Sequence, residues 1–144
     1  MLHVSLTENK KIYFASDNHL GAPTPEASKE REAKFVRWLD TIKADAGAIF
    51  LLGDLFDFWF EYRTVVPKGF VRTLGKLAEL RDSGIAIYFF VGNHDLWMDD
   101  YFEKELNIPV FHRPQEVESC GKRFLIGHGD GLGPGDKGYK RMKK

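Results

Sequence analysis

Carboxylate, amide and imidazole side chains recur at four places along the chain, and each place follows a short apolar run. The four motifs are Asp17-Asn18-His19, Gly53-Asp54-Leu55-Phe56-Asp57, Gly92-Asn93-His94-Asp95 and Gly127-His128-Gly129-Asp130. Carboxylate and amide oxygens, together with imidazole nitrogens, are ligands for divalent cations, and paired cations catalyse in-line displacement at phosphorus. The set therefore predicts a two-metal hydrolase of phosphate esters or anhydrides.

The first two motifs offer ligands for one cation and a bridge to a second. Asp17 and His19 are two residues apart, so both side chains point the same way if the strand geometry continues. Asp54 follows Gly53, which lets the backbone turn sharply and lets a ligand come close. A carboxylate there can bridge two cations about 3.5–4 Å apart. Taken singly, each motif also fits a structural turn or a helix-capping aspartate.

The last two motifs complete the set. Asn93 offers a neutral amide oxygen to the second cation, which limits the accumulated negative charge, and His128 supplies an imidazole to the same cation. We expect the side chain of His94 to lean toward the substrate, where it stabilises phosphoryl charge or protonates the leaving oxygen. The alternative for His94 is a structural histidine in a turn.

The apolar runs before the motifs predict the elements that position them. Buried strands are expected over 12–15, 48–52 and 85–91, and helices over 28–44 and 70–80. Ser28 is the expected N-cap of the first helix, and Gly84 the residue that ends the second. The order β-α-β-α-β favours the α/β class with a parallel sheet, whose strand ends are the usual place for chemistry.

The second half of the chain predicts shorter elements. We expect a helix over 101–106, a brief strand over 110–112, and a hairpin of strands 116–119 and 123–126 around Cys120. The glycine-rich stretch 127–138 is expected to be a loop, and Asp136 is placed to cap a helix that begins in the basic tail.

Charge and cysteine content constrain partners and compartment. Positive and negative residues balance at 21 each, so no nucleic-acid partner is expected. Cys120 is the single cysteine, which favours a reducing compartment. Without a signal-peptide pattern or a bilayer-spanning run, we expect a cytoplasmic protein. The basic stretch 137–144 is either a solvated helix face or a surface for phosphate or for peripheral contact with the inner membrane.

The ordered motifs resemble those of the calcineurin-like metallophosphoesterases, over residues 12 to about 130. The resemblance implies a metallophosphoesterase-type β-sandwich flanked by helices (αββα) and a centre of two divalent metal ions, with Mn²⁺ as the expected metal. It implies that Asp17 and His19 bind the first ion, that Asp54 bridges, and that Asn93 and His128 bind the second. By the same resemblance, Asp54 and His94 are the catalytic residues.

The flanking residues resemble, more narrowly, the family of UDP-2,3-diacylglucosamine pyrophosphohydrolases of bacterial lipid A synthesis. The similar stretches are 16–20, 53–59, 128–132 and 136–139. This resemblance implies cleavage of a nucleotide-lipid pyrophosphate to a lipid monosaccharide 1-phosphate and UMP, with Asn93, His94 and Asp136 contacting the substrate. The chain departs from that family at His94, where its best-known members have arginine. The alternatives are another metallophosphoesterase, such as a phosphodiesterase or nuclease, and a non-catalytic scaffold of the same fold.

Two features bear on how complete the site is. The superfamily closes its site with a late Gly-His-x-His, and no histidine follows His128. We therefore expect residues 1–144 to be one C-terminally truncated metallophosphoesterase domain, with a cap helix starting near 136–144 and the second sheet mostly absent. A short protein that completes its site with a partner is the alternative. The aromatic cluster within 56–62 either packs under its loop or forms an apolar wall for acyl chains.

Overall fold

The computed structural model describes residues 1–142, which form two β-sheets and four helices. In chain order the elements are β1 (Leu2–His3), β2 (Lys11–Ala15), α1 (Pro25–Ile42), β3 (Ala46–Leu51), α2 (Val71–Asp82), β4 (Ala86–Phe90), α3 (Tyr101–Leu106), β5 (Val110–Phe111), β6 (Gln115–Ser119), β7 (Lys122–Ile126) and α4 (Lys137–Met142). The larger sheet has the order β2-β3-β4-β5 and the smaller one β1-β6-β7. The predicted α/β class is confirmed.

The larger sheet is entirely parallel, and its strand β3 is buried on both faces. Successive residues of β3 face opposite sides, as strand geometry requires. Ile49 and Leu51 join the core formed with the helices, whereas Ala48 and Phe50 join a second core beneath the smaller sheet. This double burial explains why the sequence of β3 is a continuous apolar run without polar alternation.

Helix α1 begins at Pro25, three residues before the predicted range of 28–44. Thr24 is the N-cap, its side chain accepts a hydrogen bond from the backbone N–H of Ala27 at 3.2 Å, and Pro25 occupies the first turn. The prediction that Ser28 caps this helix is wrong. Ser28 is buried inside the helix, and its hydroxyl accepts a hydrogen bond from the N–H of Gly21 at 2.7 Å.

Helix α2 lies beside α1, and charged side chains join the two helices. Lys76 is 2.6 Å from Asp40 on α1 and 2.5 Å from Glu79 on its own helix, and Glu79 also pairs with Lys43. The hydrogen bonds from Lys43 and Lys76 lower the pKa of Glu79 to about 2. Within residues 1–142, no helix has both the length and the apolar character needed to cross a bilayer.

The smaller sheet contains the predicted hairpin and one strand that the sequence did not suggest. Strands β6 and β7 pair antiparallel, and the turn between them has left-handed backbone at Cys120 and Gly121. The missed strand β1 is two residues long, too short for an alternating pattern, and pairs in parallel with β6. Three strands of a second sheet are therefore present in this chain.

The two sheets enclose a small apolar core of their own. It is built from Val4, Ala48, Phe50, Phe90, Val117 and Ile126. The cover is partial, because Phe14 on β2 and both Phe124 and Leu125 on β7 remain substantially exposed. The sheets thus pack face to face, while most of β7 on both its sides and part of β2 remain exposed.

Candidate metal centre

The loops that follow β2, β3, β4 and β7 converge around the carboxylate of Asp54. This residue is 3 % exposed. Its Oδ2 atom lies 3.7 Å from Nε2 of His19 and 3.4 Å from Nε2 of His128. Its Oδ1 atom accepts a hydrogen bond from the backbone N–H of His94 at 2.9 Å. One carboxylate oxygen is thus fixed by the backbone while the other faces two imidazoles.

The surroundings of His128 determine which of its nitrogens carries a lone pair. Nδ1 lies 2.7 Å from the carbonyl oxygen of Leu52, and a carbonyl can only accept, so Nδ1 carries the proton. In the neutral ring Nε2 is then unprotonated. It faces Oδ2 of Asp54 at 3.4 Å and Oδ1 of Asn93 at 3.3 Å. Three electron-pair donors therefore meet at this point, which is the environment that a cation stabilises.

His19 has the same arrangement on the other side of Asp54. Its Nδ1 lies 3.2 Å from a carboxylate oxygen of Asp57, so the Nδ1 proton is donated outward. Its Nε2 is directed toward Asp54 and lies 3.9 Å from Oδ1 of Asp17. Both imidazoles therefore direct a lone pair at the central carboxylate, as metal-binding histidines do when the outer nitrogen is hydrogen-bonded.

The donor atoms form two groups that share Asp54. Ligand atoms of His19, Asp54 and His94 lie within 4.8 Å of one another, as do those of Asp17, Asp54 and His128. Mixed oxygen and imidazole donors suit divalent first-row ions, so these residues fit two cations bridged by Asp54. The structure also brings Asn93 beside His128. It groups Asp17 with His128, whereas the resemblance pairs Asp17 with His19.

The prediction that strand geometry continues through Asp17 and His19 is wrong. Strand β2 ends at Ala15, and both residues have left-handed backbone, with φ of 56° and 45°. Their N–H groups donate to the carbonyls of Gly53 at 3.1 Å and Asp54 at 2.9 Å. The loop after β2 thus lies along the loop after β3, and the two side chains reach the centre through this turn.

His94 is positioned by Asp57, a residue of the second motif to which no role was assigned. Nδ1 of His94 lies 2.9 Å from the carbonyl oxygen of Asp57 and 3.5 Å from its carboxylate. The ring of His94 packs edge-on against that of His19, with centroids 4.7 Å apart. Its position beside both His19 and Asp54 allows either a ligand role or a substrate contact. The sequence offered one indication of this role, because Asp57 is the second aspartate of the motif over 53–57.

Asp95 is a second residue whose role the sequence did not reveal. Its carboxylate is completely buried and accepts backbone N–H groups from the loops after β3 and β4. Burial raises the pKa of Asp95 above its usual range, and the hydrogen bonds from Gly92 and Asp54 oppose that shift. Gly92 is required by the close approach of these loops, since a Cβ atom there would lie 2.1 Å from Oδ1 of Asp54.

A cleft of about 230 Å³ opens beside the centre. It is lined by Asn93, Asp130, Gly131, Asp136 and Tyr139. Asp136 immediately precedes α4, at the position predicted for a cap, but its carboxylate accepts the N–H of Gly133, upstream of the helix, at 3.1 Å. The hydroxyl of Tyr139 donates to Asp130. Burial raises the pKa of Tyr139, and this hydrogen bond raises it further. Of the basic tail, Lys143 and Lys144 lie outside the described residues.

The aromatic residues after Asp54 fall into two groups. One is buried under the loop, and the other is exposed and could form the apolar wall that the sequence suggested. Phe56 and Trp59 are fully buried in the core, with ring centroids 4.5 Å apart. Phe58 is exposed and lies 6.0 Å, centroid to centroid, from the half-exposed ring of Trp97. Phe60 and Tyr62 are exposed as well. The inner rings therefore pack under the loop, and the outer rings form an apolar surface next to Asp57.

Comparison with known proteins relates this chain to a family and to named enzymes. The model of the calcineurin-like phosphoesterase family matches residues 10–140. UDP-2,3-diacylglucosamine hydrolase of Porphyromonas gingivalis is 51 % identical over 120 residues, covering 83 % of this chain and 46 % of that protein. The enzyme of the same name from Aeromonas salmonicida is 33 % identical over 131 residues, covering 91 % of this chain and 50 % of that protein.

The chain matches only part of the length of these relatives. A solved structure with low sequence identity shares its fold. The chain spans about half the length of the curated relatives. A crystal structure of a protein of unknown function from Aquifex aeolicus superposes with a TM-score of 0.58 at 21 % identity, covering 92 % of this chain and 67 % of that one. From its family match and its relatives, the chain belongs to the calcineurin-like phosphoesterase family.

Proposed function

We propose that this chain carries the two-metal centre of a hydrolase that cleaves the pyrophosphate of UDP-2,3-diacylglucosamine to a lipid monosaccharide 1-phosphate and UMP. The observation that carries the proposal is the single oxygen of Asp54 that faces the Nε2 atoms of both His19 and His128. Family membership supports the phosphoesterase chemistry, and the names of the relatives support the substrate.

The metal-binding roles follow from the donor geometry. Asp54 would hold both of two divalent cations, for which Mn²⁺ is the expected metal. The other ligands are Asp17, His19, Asn93 and His128. When bound, such a pair activates water for in-line attack and stabilises charge on the phosphoryl oxygens. The chain keeps the imidazoles in the correct tautomer through the carbonyl of Leu52 and the carboxylate of Asp57.

His94 is the residue proposed to handle the proton of the leaving group. Its Nδ1 proton is held by the carbonyl oxygen of Asp57 at 2.9 Å. In the imidazolium form the remaining proton is on Nε2, which can give it to the leaving phosphate oxygen or stabilise charge there. Asn93 and Asp136 lie along the neighbouring cleft and are proposed to contact the substrate together with His94.

The exposed rings of Phe58 and Trp97 suit the lipid part of this substrate. Phe58 directly follows Asp57, whose carbonyl oxygen lies 2.9 Å from the proposed proton donor His94. Contact with acyl chains would remove the apolar surface of both rings from water. A substrate of this kind would also bring the enzyme to the inner membrane as a peripheral cytoplasmic protein.

The proposal is tested by measuring UMP release from UDP-2,3-diacylglucosamine by a polypeptide that contains this chain, with Mn²⁺ and after chelation. A matched substrate without acyl chains and a small aryl phosphodiester serve as comparisons. We expect metal-dependent release and much poorer turnover of both comparison substrates, because remote binding energy is lost from the transition state. Equal efficiency on the aryl phosphodiester would favour a general phosphodiesterase or nuclease, and Mn²⁺ binding without hydrolysis would favour a scaffold.

A further inference from the structure

Asp95 is a buried carboxylate with no part in the proposed reaction, yet it joins two loops of the centre. Its Oδ1 atom accepts hydrogen bonds from the N–H groups of Gly92 at 2.7 Å and Asp54 at 3.2 Å. Its Oδ2 atom accepts from the N–H of Leu55 at 2.9 Å. Two of these donors belong to the loop after β3, whereas Asp95 itself belongs to the loop after β4.

The connection between the loops is reciprocal. Asp95 accepts the backbone N–H of Asp54, and the carboxylate of Asp54 accepts the backbone N–H of His94, the residue before Asp95. Each loop therefore donates a backbone group to a carboxylate of the other. With Gly92 packed against Asp54, the two loops form one unit.

This unit determines which oxygen of Asp54 is available. Asp54 has left-handed backbone, with φ of 52°, a conformation that is unfavourable for residues other than glycine. The bond from its N–H to Asp95 helps to hold that conformation. Because Oδ1 is already bonded to the N–H of His94, Oδ2 is the atom left to face His19 and His128.

We propose that Asp95 is a positioning residue of the metal centre, which holds the loops after β3 and β4 together so that Asp54 presents Oδ2 to both imidazoles before any cation binds. Asp95 does not contact the cations. Outer residues that orient metal ligands change metal affinity about 10–100-fold when they are lost. The inference rests on the proposed function only in requiring that the centre binds cations.

The first test compares two variants, each of which loses a buried hydrogen bond. In Asp95→Asn the amide nitrogen cannot accept, so at least one loop N–H loses its partner. Thr73→Val is the matched control, since Thr73 is fully buried and bonded to Glu32 on helices that supply no ligand. Mn²⁺ affinity is measured by calorimetry at a temperature where circular dichroism shows both chains folded. We expect a loss of about 10–100-fold for Asp95→Asn and no change for Thr73→Val. Wild-type affinity in Asp95→Asn, or an equal loss in both variants, would overturn the proposal.

The second test needs no variant and covers the case in which Asp95→Asn does not fold. Amide hydrogen exchange is followed in the metal-free wild-type chain. If Asp95 holds the loops before metal binds, the N–H groups of Asp54, Leu55 and Gly92 should exchange as slowly as those within β3. Exchange as fast as that of exposed loops would refute the role of Asp95. A wild-type chain that shows this protection but binds no Mn²⁺ would instead contradict the proposed function.

Discussion

Asp57 holds the imidazole of His94 with both its main chain and its side chain. The carbonyl oxygen lies 2.9 Å from Nδ1 of His94, and the carboxylate lies 3.5 Å from the same atom. The carboxylate is also 3.2 Å from Nδ1 of His19. One residue therefore contacts both a candidate metal ligand and the proposed proton donor.

Replacing Asp57 should weaken metal binding without abolishing it. In Asp57→Asn the side chain is neutral and accepts more weakly from His19, so Mn²⁺ affinity should fall by about 10–100-fold. The backbone contact to His94 remains. Calorimetric titration with Mn²⁺ measures the change, and Asp82→Asn, at an exposed position at the end of α2, is the control. Unchanged affinity in Asp57→Asn would show that His19 does not depend on this carboxylate.

Replacing Asp54 should have the larger effect. Because Oδ2 of Asp54 faces both imidazoles, Asp54→Asn should remove tight binding of both cations. Elemental analysis of the purified variant gives the metal content directly. Two retained equivalents would exclude Asp54 as the bridge, and one would show that it serves a single ion.

His94→Gln should separate metal binding from catalysis. We expect the variant to keep its cations and its turnover to fall by roughly 10²–10⁴, the range for a lost general acid or charge stabiliser. The assay is UMP release at saturating Mn²⁺, with metal content determined on the same sample. Loss of one equivalent of metal would identify His94 as a ligand, a role its closeness to His19 and Asp54 also permits.

Gly92→Ala should force apart the loops after β3 and β4. The new Cβ would lie 2.1 Å from Oδ1 and 2.6 Å from the backbone nitrogen of Asp54, so backbone must move. We expect a loss of about 1–3 kcal/mol in the free energy of unfolding, typical of overpacking, together with weaker Mn²⁺ binding. Urea denaturation measures the first effect.

Gly75→Ala provides the opposite control for this experiment. Gly75 lies inside α2, and a Cβ there meets no atom within 4 Å. Alanine should stabilise the helix by about 0.5–1 kcal/mol and leave metal binding unchanged. Similar destabilisation by both alanines would show that the crowding at Gly92 is not the cause.

Acid stability should depend on Glu79. Because the pKa of Glu79 falls from 4.5 to about 2 in the folded chain, its ion pairs stabilise the chain above about pH 4.5, and this stability is lost as the pH falls toward 2. The urea midpoint of the wild type should therefore drop more steeply across this range than that of Glu79→Gln. Glu8→Gln, in the exposed turn before β2, is the control. Because Glu79 is substantially exposed, added salt should reduce the difference.

The parts of the fold that follow from local sequence were predictable. Apolar runs identified β3 and β4, and the turn residues around Cys120 identified the β6–β7 hairpin. The start of α1 was missed because Thr24 and Ser28 both have side chains that can cap a helix. Only the tertiary structure shows that the hydroxyl of Ser28 instead accepts a hydrogen bond from the N–H of Gly21.

The composition of the site was predictable, but its geometry was not. Residue types at strand ends indicated which side chains would meet around Asp54. They could not indicate the left-handed turns at Asp17 and His19, which depend on pairing with a distant loop. They also gave Asp57 and Asp95 no role, since both act on other protein groups and neither was needed as a ligand.

The pairing of β1 with β6 has a consequence for the order of folding. The hydroxyl of Ser119 donates to the carbonyl of Val4 across 115 residues of sequence, and β1 has β6 as its neighbour in the smaller sheet. During synthesis, β1 therefore cannot pair until residues 115–119 have left the ribosome. Contacts of such high sequence separation form slowly, so the smaller sheet should close later than the hairpin of β6 and β7, whose strands are neighbours in the sequence.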